Sequence, residues 1–350
     1  MPEEVRDAHP GVRPMFKLRE RDDEEILEPD LLIVDSSHHL YDRQSLRYMI
    51  QDYVANANAG HKVVASVYIE TREMTRADGP ERLRPVGEVE FANGVAAMAA
   101  SGRYGSCKVA AAIVGYADLT AGACVAETLD GSMRAAPDRY RGVRQIAIDH
   151  PDASVLRNLT NRPRPDLLSS GGFSAGLAEL AKRDLMFVAT VLHWQLPLVA
   201  KLADEHPNLV IALEHTGLAV AMNAQSSDRR AVFDDWREKL RELARRPNVV
   251  CKIGGLGTVY WGFGFDGRTD PIGYAELAAA WRPWVECAVE AFGPSRSMME
   301  SNFPSDARSC GFVPLWNALK HITSGCSVAD KNALYHGTAA RIHRIALPTL

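Results

Sequence analysis

The 350-residue sequence lacks the features of membrane-spanning, secreted and zinc-ribbon proteins. No apolar run approaches the ~20 residues that are needed to cross a bilayer. The opening stretch, MPEEVRDAHPGVRP, has no apolar segment of the kind that a signal peptide requires. The six cysteines are scattered and form no Cys-x-x-Cys pair, so reduced thiols are expected and a zinc ribbon is not. We therefore expect a soluble, cytoplasmic protein with no membrane partner.

A strong charge of one sign and the common nucleotide-binding motifs are also missing. The formal net charge is -4 at pH 7, which gives no support for nucleic acid as a partner. No Gly-x-Gly-x-x-Gly follows the first apolar run and no P-loop is present, so a dinucleotide-binding domain is disfavoured. Residues 254–257, with the sequence GGLG, lead into no Lys-Ser/Thr helix start, and we interpret them as a flexible loop.

The clearest pattern that is present is a buried strand that runs into polar residues. Residues 31–42, LLIVDSSHHLYD, place four apolar residues before an acid, two serines and a His-His pair. A continuous apolar run bounded by polar residues is typical of a strand buried in a parallel sheet. In parallel α/β folds the chemistry is placed where such strands end. The end of this strand is therefore the first candidate for a functional site.

Seven further segments of this kind follow, separated by stretches with helical spacing, of which residues 45–58 are the first. The segments lie at residues 61–70, 107–114, 142–149, 185–192, 209–214, 248–253 and 297–301. Alternation of strands and helices through eight units predicts a parallel sheet closed into a (β/α)8 TIM barrel, an α/β fold. We assign the barrel to residues 31–350 and an extended, charged N-terminal arm to residues 1–30.

Polar side chains lie at or near the C-terminal ends of these predicted strands. They are His39, Glu70, Arg144, His193, His215, Lys252, Asn302 and Asp306. In a TIM barrel these ends converge on one mouth, so residues far apart in the sequence become neighbours. Any one of them alone is more often a loop, capping or ion-pair residue, but three histidines at one barrel end are harder to explain in that way. We predict that the set forms an active site.

Six stretches of the sequence carry a resemblance to a known family. They are VDSSHHLYD, RYRGVRQIAIDHPD, VLHWQLPLVAKLADEHPNLVIALEHTG, NVVCKIGGLG, MMESNFPSD and NALYHGTAARIHRI. Over about residues 31–345 the chain resembles the amidohydrolase superfamily, in particular the amidohydrolase 2 branch with its sugar lactonases, dicarboxylate lactonases and decarboxylases. The resemblance implies a (β/α)8 barrel whose mouth binds a small polar substrate and adds water to a carbonyl.

The same resemblance implies a metal site that this chain matches only in part. Family members with a metal hold it with a His-x-His pair on the first strand, histidines after strands five and six, and an Asp after strand eight. The corresponding residues here are Ser37 with His39, His193, His215 and Asn302. A hydroxyl or amide is a poor replacement for imidazole or carboxylate. We therefore expect no metal cofactor, because the family also includes lactonases that work without one. The alternative is a single zinc or manganese ion held by His39, His193, His215 and Glu70.

Our hypothesis for the reaction is hydrolysis of a small anionic lactone or similar cyclic ester. The general base that activates water is assigned to Asp306, with Glu70 second and Glu300 a further candidate. The remaining roles are polarisation of the carbonyl by His39, His193 and His215, anchoring of an anion by Arg144 and Lys252, and a pocket wall from Tyr260, Trp261, Phe263 and Phe265.

Two other functions stay open on the same scaffold, because fold does not fix reaction. A decarboxylase or hydratase would be favoured by a divalent-ion requirement and by release of carbon dioxide. A non-catalytic ligand binder would bind an aromatic or dicarboxylic acid without turnover. We prefer the hydrolase, since burying so many charged groups without a use would be costly. The expected partner is a small anionic substrate, and amphipathic helices such as residues 229–245 are compatible with a homo-oligomer.

Overall fold

Eight parallel strands form the centre of the structure, a computed structural model that describes residues 24–43, 46–159, 162–222 and 226–347. The strands are hydrogen-bonded to one another in the order of the chain, as a TIM barrel requires. They are β1 (Leu32–His38), β2 (Lys62–Ile69), β3 (Lys108–Gly115), β4 (Tyr140–Arg144), β5 (Met186–Ala189), β6 (Ile211–Leu213), β7 (Val249–Ile253) and β8 (Ser297–Met299). The predicted (β/α)8 barrel is confirmed.

Helices cover the outside of the barrel. They are α1 (Ile50–Ala57), α2 (Val86–Ala100), α3 (Ala126–Ala135), α4 (Gly171–Lys182), α5 (Leu196–Glu205), α6 (Ser226–Leu243), α7 (Tyr274–Phe292), α8 (Phe312–Ile322), α9 (Val328–Asn332) and α10 (Thr338–Ile342). Among the helices described, none has both the length and the apolar character that a bilayer crossing demands.

The barrel interior is filled by apolar residues that alternate along the strands with residues facing the helices. The inward-facing cluster includes Ala212 of β6, Val250 of β7 and Met298 of β8. Because side chains on a strand point to opposite faces with a period of two, the residues two positions further along face the same interior. Those residues are Glu214, Lys252 and Glu300, all fully buried. The C-terminal end of the barrel interior is thus charged, whereas its centre is apolar.

Strands β1 and β8 close the barrel through polar groups. The backbone N–H of Asn302 donates to the carbonyl of Ser37 at 2.9 Å. The buried carboxylate of Asp35 accepts hydrogen bonds from the N–H of Ser301 at 2.8 Å, from its hydroxyl at 2.6 Å, and from the Tyr53 hydroxyl at 3.0 Å. The acid and serine that follow the first apolar run therefore join the two ends of the sheet.

The structure differs from the sequence-based expectation at two places near the site. Strand β4 ends at Arg144, not at residue 149: beyond Arg144 one backbone hydrogen bond, from the N–H of Ala147 to the Thr190 carbonyl at 3.0 Å, continues toward the segment after β5. The helix expected over residues 45–58 is shorter: residues Tyr41–Arg43 and Leu46–Tyr48 pair as an antiparallel ribbon, and the helix begins at Ile50. Residues 44 and 45 lie outside the described residues.

The predicted arm of residues 1–30 is described only from residue 24 onward. In that part, the N–H of Leu27 donates to the side chain of Asn317 on α8 at 2.9 Å. The Lys320 ammonium, on the same helix, donates to the carbonyls of Leu27 and Glu28 at 2.8 and 2.9 Å. This segment therefore packs against α8 on the outside of the barrel.

Candidate active site

A cavity of about 420 Å³ opens at the C-terminal end of the barrel. Six of the residues predicted to form the site line it, namely His39, Glu70, Arg144, His215, Tyr260 and Asn302. They come from the ends of β1, β2, β4 and β6 and from the segments after β7 and β8. The convergence expected from the strand order is therefore found for five of the eight strand-end residues, and Tyr260 joins them from the segment after β7.

Five charged side chains form a continuous ion-pair chain, which we call the floor network. It runs from Glu70 and Arg144 at the cavity into the barrel interior beneath it. Arg144 donates through Nε to Glu70 Oε1 at 2.8 Å and through Nη1 to Glu214 Oε2 at 3.1 Å, and its Nη2 donates to the Glu70 carbonyl. The Lys252 ammonium lies 3.1 Å from Glu214 Oε1 and 3.1 Å from Glu300 Oε2. Acids and bases alternate, so each buried charge has a counter-charge beside it.

This alternation sets different pKa values for the three acids of the floor network. Burial alone would raise the pKa of Glu214, but the adjacent Arg144 and Lys252 hold it well below its usual range. Lys252 and His215 likewise lower the pKa of Glu300 against the effect of burial. Glu70 differs, because burial outweighs the attraction of the Arg144 guanidinium and raises the pKa of Glu70 to about 7. Glu70 is therefore the member of the network that changes charge near neutral pH.

His215 is fixed by Glu300 at the edge of the floor network. Its Nδ1 lies 2.6 Å from Glu300 Oε1, and its backbone N–H donates to the same oxygen at 3.1 Å. Because the carboxylate accepts at Nδ1, that nitrogen carries a proton. Nε2 lies 3.7 Å from Glu214 Oε2, beyond hydrogen-bond distance, and has no hydrogen-bond partner among the described residues. Burial would lower the pKa of His215, but Glu300 and Glu214 raise it above its ordinary value. The imidazole is thus stabilised in its charged form.

The Gly-rich stretch after β7 is packed against these residues, so our interpretation of it as a flexible loop is wrong. A Cβ at Gly255 would lie 2.5 Å from Cγ of His215, and Gly255 has a φ of +62°. A Cβ at Gly254 would lie 2.3 Å from Cγ of Glu300. Only glycine lets the backbone approach these side chains so closely, and at Gly255 only glycine adopts the backbone conformation without strain. Both glycines are required by the site.

A second hydrogen-bonded chain links His39 to Asp306. His39 lies 2.9 Å from the carbonyl of Ile69 through Nδ1 and 3.1 Å from Oδ1 of Asn302 through Nε2. The Asn302 amide donates to Asp306 Oδ1 at 2.7 Å, and Asp306 Oδ2 accepts from the N–H of Gly257 at 2.8 Å. Burial raises the pKa of Asp306 to about 7 and lowers that of His39 to about 3. Asn302 therefore stands between Asp306 and the cavity.

Two of the residues assigned to the chemistry do not line the cavity. Asp306 lies behind Asn302, and both of its carboxylate oxygens are already used. The imidazole of His193 is turned toward α6, with Nε2 3.4 Å from Asp235 Oδ2, and its Nδ1 accepts from the N–H of Val220 at 3.3 Å. The strand-end position alone did not reveal these orientations.

Two of the residues assigned to substrate binding also lie away from the cavity. Lys252 is 0% exposed, because it sits between two glutamates inside the barrel. The Trp261 indole packs at 4.9 Å from the Trp284 ring, and its N–H donates to the Gly255 carbonyl at 2.9 Å. Trp261 therefore belongs to the core beneath the loop, whereas its neighbour Tyr260 forms part of the cavity wall.

Sequence reasoning missed Glu214 and Arg72. Glu214 had a detectable signal, since it lies two positions beyond the inward-facing Ala212. Arg72 had none: it follows β2 with a φ of +64°, and its guanidinium lies 4.2 Å from the centre of the Tyr116 ring in the cavity wall. The backbone N–H of Arg72 donates to both carboxylate oxygens of the buried Glu88, at 3.0 and 3.1 Å. This strained turn holds Arg72 at the cavity.

The donor atoms do not fit a resident divalent ion as they stand. The alternative ligand set of His39, His193, His215 and Glu70 does not converge. In the described part of the chain, the one group of imidazole, thiolate and carboxylate donors close enough for a metal is Glu214, His215 and Glu300, with ligand atoms within 4.8 Å of one another. The Lys252 ammonium contacts both glutamates of that group, and a metal ion would have to compete with it.

Comparisons with known proteins agree with this architecture. The profile of the family described as amidohydrolase matches residues 34–345. An uncharacterized protein of Sinorhizobium fredii is 30% identical over 338 residues, covering 90% of this chain and 99% of that protein. An L-fucono-1,5-lactonase of Burkholderia multivorans is 27% identical over 329 residues, covering 91% of this chain and 97% of the lactonase.

The fold is also that of solved structures. A crystal structure of an amidohydrolase from Burkholderia multivorans with bound zinc superposes with a TM-score of 0.67 at 24% identity, covering 90% of this chain and 100% of that one. The match of the family profile to most of the chain and the full-length relatives identify its class. The chain belongs to the amidohydrolase family and is an amidohydrolase-like enzyme.

Proposed function

We propose that the protein hydrolyses a small anionic lactone or a similar cyclic ester at the C-terminal mouth of the barrel. One observation carries the proposal: Glu70, whose pKa is raised to about 7, lines the cavity together with the charge-stabilised imidazole of His215. A carboxylate that accepts a proton near neutral pH and a cationic donor are the two groups that addition of water to an ester carbonyl needs.

Glu70 acts as the general base in this proposal, in place of Asp306. Its Oε1 is held by Arg144 at 2.8 Å, while its Oε2 has no hydrogen-bond partner among the described residues. A base works best when its pKa lies near the working pH. Glu70 removes a proton from the attacking water and returns it to the ring oxygen as the C–O bond breaks. Lactone and water thus give one hydroxy acid.

His215 acts as the donor to the developing oxyanion. Glu300 holds its Nδ1 at 2.6 Å, which fixes the ring and leaves Nε2 for the carbonyl oxygen. Preorganised donors of this kind usually supply the largest part of the stabilisation of a tetrahedral intermediate. His39 lines the same cavity, but its Nε2 is engaged by Asn302 at 3.1 Å, so it shapes the site beside His215.

The preference for an anion is supported by the charges at the cavity entrance. Six arginines line the cavity, Arg43, Arg72, Arg144, Arg162, Arg164 and Arg308, against two acids, Glu70 and Asp118. Arg144 is neutralised by the floor network. Arg72 stacks on Tyr116 and forms no ion pair with any described residue. We call Arg72, Tyr116, Arg162 and Arg164 the rim, and assign to Arg72 the anchoring of the substrate anion.

The test measures turnover of a panel of sugar lactones, some with a carboxylate group and some without. Turnover is monitored through the proton that the acid product releases. We expect ring opening without release of carbon dioxide, and a loss of ~10²–10⁴-fold in kcat/KM for Glu70→Gln. The matched control is Glu90→Gln, which changes an exposed acid of α2 that is paired with Arg76.

Full activity of the Glu70→Gln variant would show that Glu70 is not the general base. If the protein releases carbon dioxide from an aromatic acid and hydrolyses no lactone, it is a decarboxylase and not a lactonase. The likeness to the Burkholderia multivorans L-fucono-1,5-lactonase supports a lactone as the first substrate to try.

A further inference from the structure

The barrel contains a group of side chains with the composition of a metal site. Glu214, His215 and Glu300 bring two carboxylates and one imidazole to the end of the barrel interior, with ligand atoms within 4.8 Å of one another. All three are buried. Two carboxylates and an imidazole suit zinc or manganese, and three protein ligands are the usual number in a catalytic zinc site.

The same group already holds a cation. The Lys252 ammonium lies 3.1 Å from Glu214 Oε1 and 3.1 Å from Glu300 Oε2. The remaining oxygens are also engaged: Arg144 Nη1 donates to Glu214 Oε2 at 3.1 Å, and His215 Nδ1 lies 2.6 Å from Glu300 Oε1. Each of the four carboxylate oxygens therefore lies within 3.1 Å of a nitrogen, so an additional cation would have to displace one of these contacts.

The backbone is shaped to maintain this arrangement. Lys252 lies on β7 at an inward-facing position, two residues after Val250, and it is 0% exposed. Gly254 follows two residues later and makes room for the side chain of Glu300, because a Cβ at residue 254 would lie 2.3 Å from Cγ of Glu300. Among the residues that the structure describes, Glu214 and Glu300 are the counter-ions of Lys252. Its charge is committed to the two glutamates.

We propose that the Lys252 ammonium is the resident cation of this cluster, occupying the position of a divalent metal ion. The ammonium and a metal need the same oxygens of Glu214 and Glu300, and their like charges repel at such short range. Removing the ammonium leaves two buried carboxylates short of positive charge, which a divalent ion restores. Lys252→Met therefore converts the Glu214–His215–Glu300 group into a metal site. This inference does not depend on which substrate the enzyme hydrolyses.

The experiment is a titration of the purified, full-length chain with Co²⁺, monitored by its visible absorption bands and by competition with Zn²⁺. For Lys252→Met we expect one Co²⁺ per chain, bound at least ~100-fold more tightly than by the wild type. The double variant Lys252→Met/Glu300→Gln, which removes one ligand charge, should lose this binding. Lys201→Met is the control for loss of a lysine, because Lys201 is an exposed residue paired with Glu205 on α5.

Folding is followed in parallel by circular dichroism and thermal melting, because loss of a buried charge partner destabilises the protein. Zn²⁺ should raise the Tm of Lys252→Met, but not that of the double variant, since a ligand that binds only the folded state stabilises it. If Lys252→Met is recovered folded only when Zn²⁺ is present during expression and purification, the proposal is supported.

Three results would overturn the proposal. One is a wild-type chain that binds one Co²⁺ as tightly as Lys252→Met does, together with a single Glu300→Gln variant that no longer binds it. Another is a folded Lys252→Met variant that binds no Co²⁺. The last is a Lys252→Met variant that fails to fold both with and without Zn²⁺, because the metal then does not replace the ammonium.

Discussion

The floor network and the rim use the same kinds of side chain for different purposes. In the floor network, Arg144 and Lys252 are buried and each contacts two acids. In the rim, Arg72 is exposed, and its guanidinium packs on the face of the Tyr116 ring and forms no ion pair with any described residue. A cation on a barrel strand is thus used to balance buried acids, whereas a cation on the loops above is open to a ligand. Residue type at a strand end does not by itself distinguish the two.

The largest effect is expected from breaking the floor network. Glu214→Gln leaves Arg144 and Lys252 facing a neutral side chain in the barrel interior. We expect a loss of about 3–5 kcal/mol in the free energy of unfolding, measured by urea denaturation, as for other buried ion pairs that lose one partner. Glu127→Gln, which changes the exposed pair with Arg82, should cost less than ~1 kcal/mol. Equal losses would mean that the network does not stabilise the fold.

A smaller effect is expected at the glycine that supports His215. Gly255→Ala introduces a left-handed alanine and a Cβ 2.5 Å from Cγ of His215, so we expect a loss of about 1–3 kcal/mol together with a fall in kcat. Gly264→Ala is the matched control, because Gly264 has a φ of +75° and no atom within 4 Å of its added Cβ. A similar fall in kcat for both variants would show that contact with His215 is not the cause.

The rim is expected to affect binding and not the chemical step. Arg72→Met should raise KM for a carboxylate-bearing lactone by ~10–100-fold, with little change in kcat, because it removes a charge-assisted contact. KM for a neutral lactone should not change. Arg103→Met, an exposed arginine outside the cavity, is the control. An equal rise in KM for both lactones would show that Arg72 does not recognise the anion.

The sequence was sufficient to predict the barrel and the convergence of its strand ends, because alternating apolar segments and helical spacing reflect local preferences and burial. Period-two alternation also shows, in retrospect, that Lys252 and Glu214 share the interior with Val250 and Ala212. The pairing of Lys252 with glutamates from two other strands depends on the curvature and register of the whole barrel, and one chain segment carries no signal for it.

The same limit applies to the residues after the strands. His193 and His215 occupy equivalent positions in the sequence pattern, yet one contacts α6 and the other lines the cavity. Their orientations depend on backbone conformation: His215 has a φ of +52°, and Gly255 makes room for its ring. Such conformations arise from contacts between distant segments, and residue type alone does not predict them.

The most direct test of the account is the pH dependence of kcat/KM for an anionic lactone between pH 5 and pH 9. Glu70, with a pKa raised to about 7, is active as a base only when it has lost its proton, while the lowered pKa values of Glu214 and Glu300 keep those two charged throughout. We predict a rate that rises about tenfold per pH unit up to about pH 7 and then stays level until the imidazolium of His215 loses its proton, with the rise absent in Glu70→Gln. A wild-type rate that is flat across pH 7, or a rise that persists in Glu70→Gln, would contradict the account.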